Sequence, residues 1–369
     1  MKRARTRQPG IAMLLVLATI AMATILGLSF LRVTTVKLAG SANLLRASRS
    51  RYLAESGMQH AFHLLRTSGP ELEGATAGSP LGPFHVDGTE DTYVLYTSQT
   101  SPGEYVVTAK GTCGRLTRTS SARVRVTNSY AADVKGHNPL YYWRLGEEAG
   151  PVAHDERDQG DGTYFNGVEL GRRGALGEDP DRAAHFDGFN DYINLGQVLE
   201  VKGSTLTFLL WFKADDFNVP DARLLSKADG TLPGNHLWML GTAPVGGNMR
   251  VQFLLKPMDN VPRTLLAGSG NLKVGEWTMV AATYDGFWMR LYGNAEMVGS
   301  RAIMGEVDSL DKGTAIDAWI GNNPNDDTSR PFHGVIDEVA IFKKRLTSTE
   351  IRALYDARIA SVDVLSWDE

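Results

Sequence analysis

The stretch EWTMVAATYDGFWMRLYGN, Glu276–Asn294, decides the fold. Two apolar runs, Trp277–Tyr284 and Phe287–Tyr292, flank the pair Asp285-Gly286, and Gly293-Asn294 follows at once. Tight hairpins need residues that accept positive φ, which Gly, Asn and Asp do at least cost. The segment therefore reads as a hairpin within an antiparallel sheet. Similar short runs surround it: LYYWRLG (140–146), AHFDGFNDYINLG (184–196), LTFLLWFKAD (206–215), NMRVQFLLK (248–256), AWIGNN (318–323) and GVIDEVAIFKK (334–344). Strands at this spacing over residues 130–360 predict one all-β sandwich. Thr347-Ser348-Thr349-Glu350 spells a capping box, and Ile351, Leu354 and Tyr355 give the short helix behind it one apolar face.

The chain begins differently. Ile11–Leu31, IAMLLVLATIAMATILGLSFL, carries no charge and follows the basic leader MKRARTRQPG. At ~1.5 Å per residue it gives roughly 32 Å of helix, enough to cross a bilayer core. Lys2, Arg3, Arg5 and Arg7 favour a cytoplasmic N-terminus with the remainder exported, to the periplasm or cell surface. Ala21-Met22-Ala23 has the form of a signal-peptidase site, but the apolar run continues beyond it. Ala54, Met58, Ala61 and Leu65 recur at helical spacing, and Leu38, Leu45 and Tyr52 recur every seven residues. One helix, transmembrane and then amphipathic, is expected over 11–66, stopped by Gly69-Pro70. Residues 81–128 contain TYVLYT, GEYVVTAKGT and SARVRVTN, which predict a small β-meander. Residues 361–369 read as a C-terminal tail.

Composition narrows the functions. Charged residues are 22% and hydrophobic residues 43%, a globular balance, and the net charge of −4 gives nucleic acid no basic surface. Cys113 is the one cysteine, so no intrachain disulfide forms, and a buried thiol is expected.

The leader ending in Gly10, the apolar run, and Tyr52-Leu53-Ala54-Glu55-Ser56-Gly57-Met58-Gln59 followed by Ala61 and Leu64-Leu65 resemble the N-terminal region of type IV pilin-like proteins. The similarity is strongest to minor pilins and the large minor pseudopilin of type II secretion. It implies processing between Gly10 and Ile11 and packing of the helix among pilin-like or secretion-system subunits. It also implies that the small sheet packs against this helix. The family's glutamate five residues after the cut is Leu15 here, a departure from major-pilin assembly.

Residues 130–357 resemble the laminin-G-like, concanavalin A-like lectin/glucanase family. The matching words are Tyr142-Trp143-Arg144-Leu145-Gly146, Phe186-Asp187-Gly188-Phe189-Asn190-Asp191-Tyr192-Ile193, Leu206-Thr207-Phe208 with Trp211-Phe212-Lys213, Trp277–Gly286 and Gly334–Phe342. The resemblance implies a jelly-roll of two antiparallel sheets and, often, a structural Ca2+ held between an early and a late strand. The corresponding positions are Asp187 and Asp337, with Asn190 as a further oxygen donor; capping of turns is the other reading of these residues.

Glu306-Val307-Asp308-Ser309-Leu310-Asp311 approximates the glucanase pattern E-x-D-x-x-E, but Asp311 is one methylene short and the flanks read as a loop. A retaining hydrolase needs two carboxylates about 5–5.5 Å apart in a cleft, so no catalytic residue is assigned. His137, His154, His185, His236 and His333 are scattered and are expected at the surface or rim. For glycan or protein binding the candidates are His236, Trp238, Arg250, Phe287 and Trp288, while Trp143, Trp211 and Trp277 read as core. The expectation is a non-enzymatic, membrane-anchored pilin-like component displaying a binding domain. A signal-anchored surface lectin without a fibre and a tethered polysaccharide hydrolase are the alternatives.

Overall fold

The computed structural model describes residues 9–67, 72, 74–101, 103–177, 179, 181–198, 200–307 and 315–368. The basic leader through Gln8, Gly69-Pro70 and Asp308–Asp311 lie outside them. Two compact units are present: Met1–His63, Glu71–Arg125 and Val364–Glu369 form one, and Leu64–Pro70 with Val126–Asp363 form the other.

The first unit holds the helix Pro9–Arg66, which includes Gly10 and Ile11. Its apolar section is wholly exposed and is long and apolar enough to cross a bilayer. Farther along, Ser50, Leu53, Ala54, Met58, Ala61 and Phe62 are buried at helical spacing. They face an antiparallel sheet in the strand order Leu81–His85, Thr92–Ser101, Glu104–Cys113, Leu116–Thr127, Ser361–Asp368. Gly111 marks the closest approach, because a Cβ there would overlap backbone atoms of Ser50 and Ala54. Leu38, Leu45 and Tyr52 remain exposed, so their seven-residue recurrence has no partner within this unit. Cys113 is buried.

Residues 361–368 are a strand, where the sequence suggested a tail. The physical reason is the bare backbone edge of Leu116–Thr127, which an extended segment satisfies by hydrogen bonding. Val362 and Val364 in SVDVLSW give it strand propensity, and Trp367 meets Phe62 edge-on at 6.0 Å.

The second unit is a sandwich of two antiparallel sheets. Among the described residues one sheet runs Arg263–Leu266, Asn248–Leu255, His236–Val245, Arg223–Ala228, Ala318–Ile320, Tyr192–Asn194, Gly162–Phe165, Val152–Ala153. The other runs Glu296–Ala302, Trp288–Gly293, Thr278–Tyr284, Leu206–Ala214, His333–Phe342, Arg182–Asp187, Glu169–Arg173, with Tyr141–Trp143 also paired to His333–Phe342. The Glu276–Asn294 hairpin forms as read, and Asn294 and Ala295 take positive φ in its next turn (49° and 64°).

Leu206, Phe208, Leu210 and Phe212 enter the core between the sheets with Trp143, Phe186, Trp238 and Phe253. Leu209 and Trp211 point the other way, into a second cluster with Tyr130, Val134, Ile351 and Leu354. The short helices Tyr130–Gly136 and Ser348–Asp356 supply these last residues, and Thr347 and Glu350 form the expected capping box. Burial on both faces explains why LTFLLWF is continuously apolar, not alternating.

Candidate functional site

An acidic cluster grows from a β-bulge in His333–Phe342. Asp337 pairs with Trp211 and Ala340 with Leu209, so Glu338 and Val339 together oppose Leu210. Glu338 takes φ +56°. The extra residue breaks alternation, letting Ile336 and Val339 both enter the core while Asp337 and Glu338 reach one polar site.

Arg144 sits at the centre of that site. Its Nε and Nη2 donate to Glu338 Oε1 at 2.9 and 2.8 Å, and Nη2 also donates to Asp179 Oδ2 at 2.7 Å. Asp181 Oδ2 lies 3.3 Å from Nε. Tyr142 donates its hydroxyl to Glu338 Oε2, and the Ala175 amide donates to Asp337 Oδ2 at 2.7 Å. A Cβ at Gly146 would overlap the Asp181 carboxylate, so a side chain there would have to displace it.

Charge does not balance in this cluster. Four carboxylates face one guanidinium, and Asp337 Oδ1 and Asp181 Oδ2 are buried without a hydrogen-bond donor among the described residues. Burial pushes Asp181 up to about 6 and Glu338 up to about 7, and drives Asp337 well above the usual carboxylate range. Burial alone would lower Arg144; Glu338 and Asp181 outweigh it and hold the guanidinium firmly charged. One oxygen each from Asp181, Asp337 and Glu338 lies within 4.8 Å of the others. Hard oxygens in this arrangement fit the calcium that the fold family implies.

The other expected calcium ligands are elsewhere. Asp187 pairs with His333, four residues before Asp337 on the same strand, or about 13 Å away at ~3.3 Å per residue. Its Oδ1 accepts the Phe189 amide at 2.8 Å, an ordinary turn cap. The Asn190 carbonyl accepts from Asn166 Nδ2 at 2.8 Å. Asp187 and Asn190 therefore do not converge with Asp337.

The five expected ligand-binding residues also separate. His236 is buried, with Nδ1 against the Leu232 carbonyl and Nε2 against Asn323 Oδ1, both at 2.9 Å. Burial takes its pKa down to about 4. Trp238 is in the sandwich core, where no sugar can reach its face. Arg250 braces the carbonyls of Ala267 and Gly268 and the Asn271 side chain. Phe287 and Trp288 do stand in solvent, 61% and 44% exposed, on a turn whose amides donate to Asp285 Oδ1.

A better aromatic surface lies on the outer face of the first sheet. Phe165 stacks on Tyr192 with ring centroids 4.9 Å apart and planes 12° apart, and Tyr192 stacks on Trp319 at 3.6 Å and 9°. Asn194 donates to Asp317 at 3.1 Å and Asn166 to Asp327 at 3.1 Å, placing amides and carboxylates beside the rings. Trp319 Nε1 meets no acceptor among the described residues. The stacked rings cover one another's inner faces, both faces of Tyr192 included, and leave their edges and the outward sides of the two end rings, with polar groups at the margin, for contact with a pyranose. The sequence held a signal for it: Ala318 and Ile320 enter the core, as does Ile193, so the intervening Trp319 and neighbouring Tyr192 must face outward.

Residues 186–352 match the family described as the concanavalin A-like lectin/glucanases superfamily, and this part of the chain has that fold. Pappalysin-1 of Homo sapiens is 27% identical over 136 residues, covering 35% of this chain and 8% of that protein. Pappalysin-1 of Mus musculus is 27% identical over 180 residues, covering 47% and 11%. The chain thus spans about a tenth of the length of the curated relatives it matches. Among solved structures, domain 4 of AbnA, a GH43 extracellular arabinanase from Geobacillus stearothermophilus in complex with arabinotriose, aligns at 19% identity and a TM-score of 0.42, covering 59% of this chain and 98% of that one. The botulinum neurotoxin serotype D ligand binding domain in complex with N-acetylneuraminic acid aligns at 14% identity and a TM-score of 0.43, covering 62% and 52%.

Proposed function

We propose that the protein is a membrane-tethered, non-enzymatic glycan-recognition protein. The helix over Pro9–Arg66 is the anchor, and the sandwich reads carbohydrate on Phe165, Tyr192 and Trp319, with Asn194, Asp317 and Asp327 reading hydroxyls. The aromatic ladder is the observation that carries this reading. Recognition is favoured over cleavage because the buried acids Asp181, Asp337 and Glu338 are engaged with Arg144, Tyr142 and the Ala175 amide. Calcium at Asp181, Asp337 and Glu338 is the proposed structural ion. The test is glycan-array binding by the detergent-solubilised full chain. Selective retention of a glycan class that Tyr192→Ala and Trp319→Ala both lose supports the reading, and retention by both variants refutes it.

A pilin-like subunit is the finer form of the same proposal. It is favoured by helix residues Ser50–Phe62 packing on the small sheet at Gly111. An N-terminus at Ile11 in protein recovered from its native membrane is the expected result. A chain retaining its leader leaves the plain surface-lectin alternative.

A further inference from the structure

His185 and His333 lie on neighbouring strands of one sheet, and Asp215 directly follows the end of the next strand, Leu206–Ala214. His333 pairs with Asp187, two residues beyond His185, and the Asp215 amide donates to the His333 carbonyl at 3.0 Å. The three side chains meet on the face away from the core, since Ala184, Phe186, Phe332 and Ile336 point inward. His185 Nε2 is 2.8 Å and His333 Nε2 3.9 Å from the same Asp215 Oδ2, and one donor atom from each residue lies within 4.8 Å of the others.

The far side of each ring is also occupied. His333 Nδ1 is 2.8 Å from Asp216 Oδ2, and His185 Nδ1 is 3.9 Å from Glu169 Oε2. The Asp216 carboxylate behind His333 is placed to accept from Nδ1–H and so to turn that ring's Nε2 lone pair forward, as in metal-binding histidines, whereas His185 makes its short contact to Asp215 through Nε2. His333 Nε2 lies 3.9 Å from Asp215 Oδ2, and a cation between them would be held by both.

We propose that His185, His333 and Asp215 bind a borderline divalent cation, zinc by preference, through two imidazole nitrogens and one carboxylate. Ligands of a tetrahedral zinc at ~2.0–2.1 Å stand about 3.3 Å from one another, and the separations found here need only side-chain adjustments to reach that. Nitrogen donors distinguish this site from the all-oxygen cluster around Arg144, which suits calcium. On binding, the His185 Nε2 proton moves to Nδ1, which faces Glu169. A cavity of about 260 Å³ borders His333, with Asp187, Gly188, Asp216, Phe217 and Asn218 also in its wall, and water or an anionic ligand group can complete the shell at the fourth position.

The test uses the tag-free, detergent-solubilised full chain, stripped by chelator. Titration with Co2+ is expected to give the visible bands of a tetrahedral site, removed by one equivalent of Zn2+. His185→Gln and His333→Gln should each weaken binding at least tenfold, and Asp216→Asn, behind the ring, by roughly 10–100-fold. Absence of saturable Co2+ or Zn2+ binding in the unaltered chain overturns the proposal, as does full affinity in both histidine variants. X-ray absorption of the zinc-loaded unaltered chain tests the ligand set without relying on a variant's folding. Two imidazoles in the shell support the proposal, and a shell without them refutes it.

Discussion

Tyr192 and Trp319 lie face to face, ring centroids 3.6 Å apart, on adjacent strands of the outer sheet surface. Each ring holds the other in place, so a sugar meeting the exposed parts of these rings finds a preorganised surface. Trp319→Ala is expected to lower glycan affinity by about 2- to 13-fold, since aromatic stacking contributes roughly 0.5–1.5 kcal/mol beyond area burial. Trp319→Phe should recover part of the loss. Isothermal titration with the glycan identified on the array checks both.

Acidity should act on the Arg144 cluster with an unusual sign. Glu338 at about 7 and Asp181 at about 6 bind protons more tightly folded than unfolded. Their stabilising contribution is complete below the unfolded values near 4, and is lost as pH rises through 6 and 7. In chelator, the sandwich's melting midpoint should therefore contain a component that falls between about pH 4.5 and 7.5. Calcium replaces the protons and should restore the midpoint at pH 7.5. An identical midpoint with and without calcium there, read by calorimetry, would count against the ion.

Gly146→Ala tests the same cluster sterically. The added methyl overlaps the Asp181 carboxylate, which must leave its place beside Arg144. Forced overpacking in a rigid site costs about 1–3 kcal/mol, and denaturant unfolding should register a loss of that order.

His236 predicts the opposite pH trend. Its folded pKa of about 4 is depressed below the ordinary value by burial. The stability it supports is therefore present above pH 6.5 and falls as pH drops toward 4. His236→Gln, which keeps hydrogen-bonding groups without that titration, should flatten this component of the acid limb. Midpoints measured from pH 4 to 7 for both proteins give the comparison.

Much of the architecture was readable because hydrophobic periodicity and turn chemistry are local. The Glu276–Asn294 hairpin, the Thr347 capping box and the helix face of Ala54, Met58, Ala61 and Leu65 all follow from residues close in sequence. The sites were harder because they depend on register. Asp187 pairs with His333, four residues short of Asp337, and a bulge at Glu338 brings Asp337 and Glu338 to one polar site. Trp238 and Trp319 are alike by composition, yet one lies in the core and the other on the outer face, according to strand parity. His185 and His333 looked scattered because strand pairing, and not chain proximity, makes them neighbours.

The strand Ser361–Asp368 has a consequence for biogenesis. It lies beside Leu116–Thr127, yet the ribosome reaches it only after the whole lectin-like sandwich has been synthesised. The small sheet beneath the helix must wait with an open edge while its neighbour is translated. A chain aborted before residue 361 would keep that edge of Leu116–Thr127 unpaired.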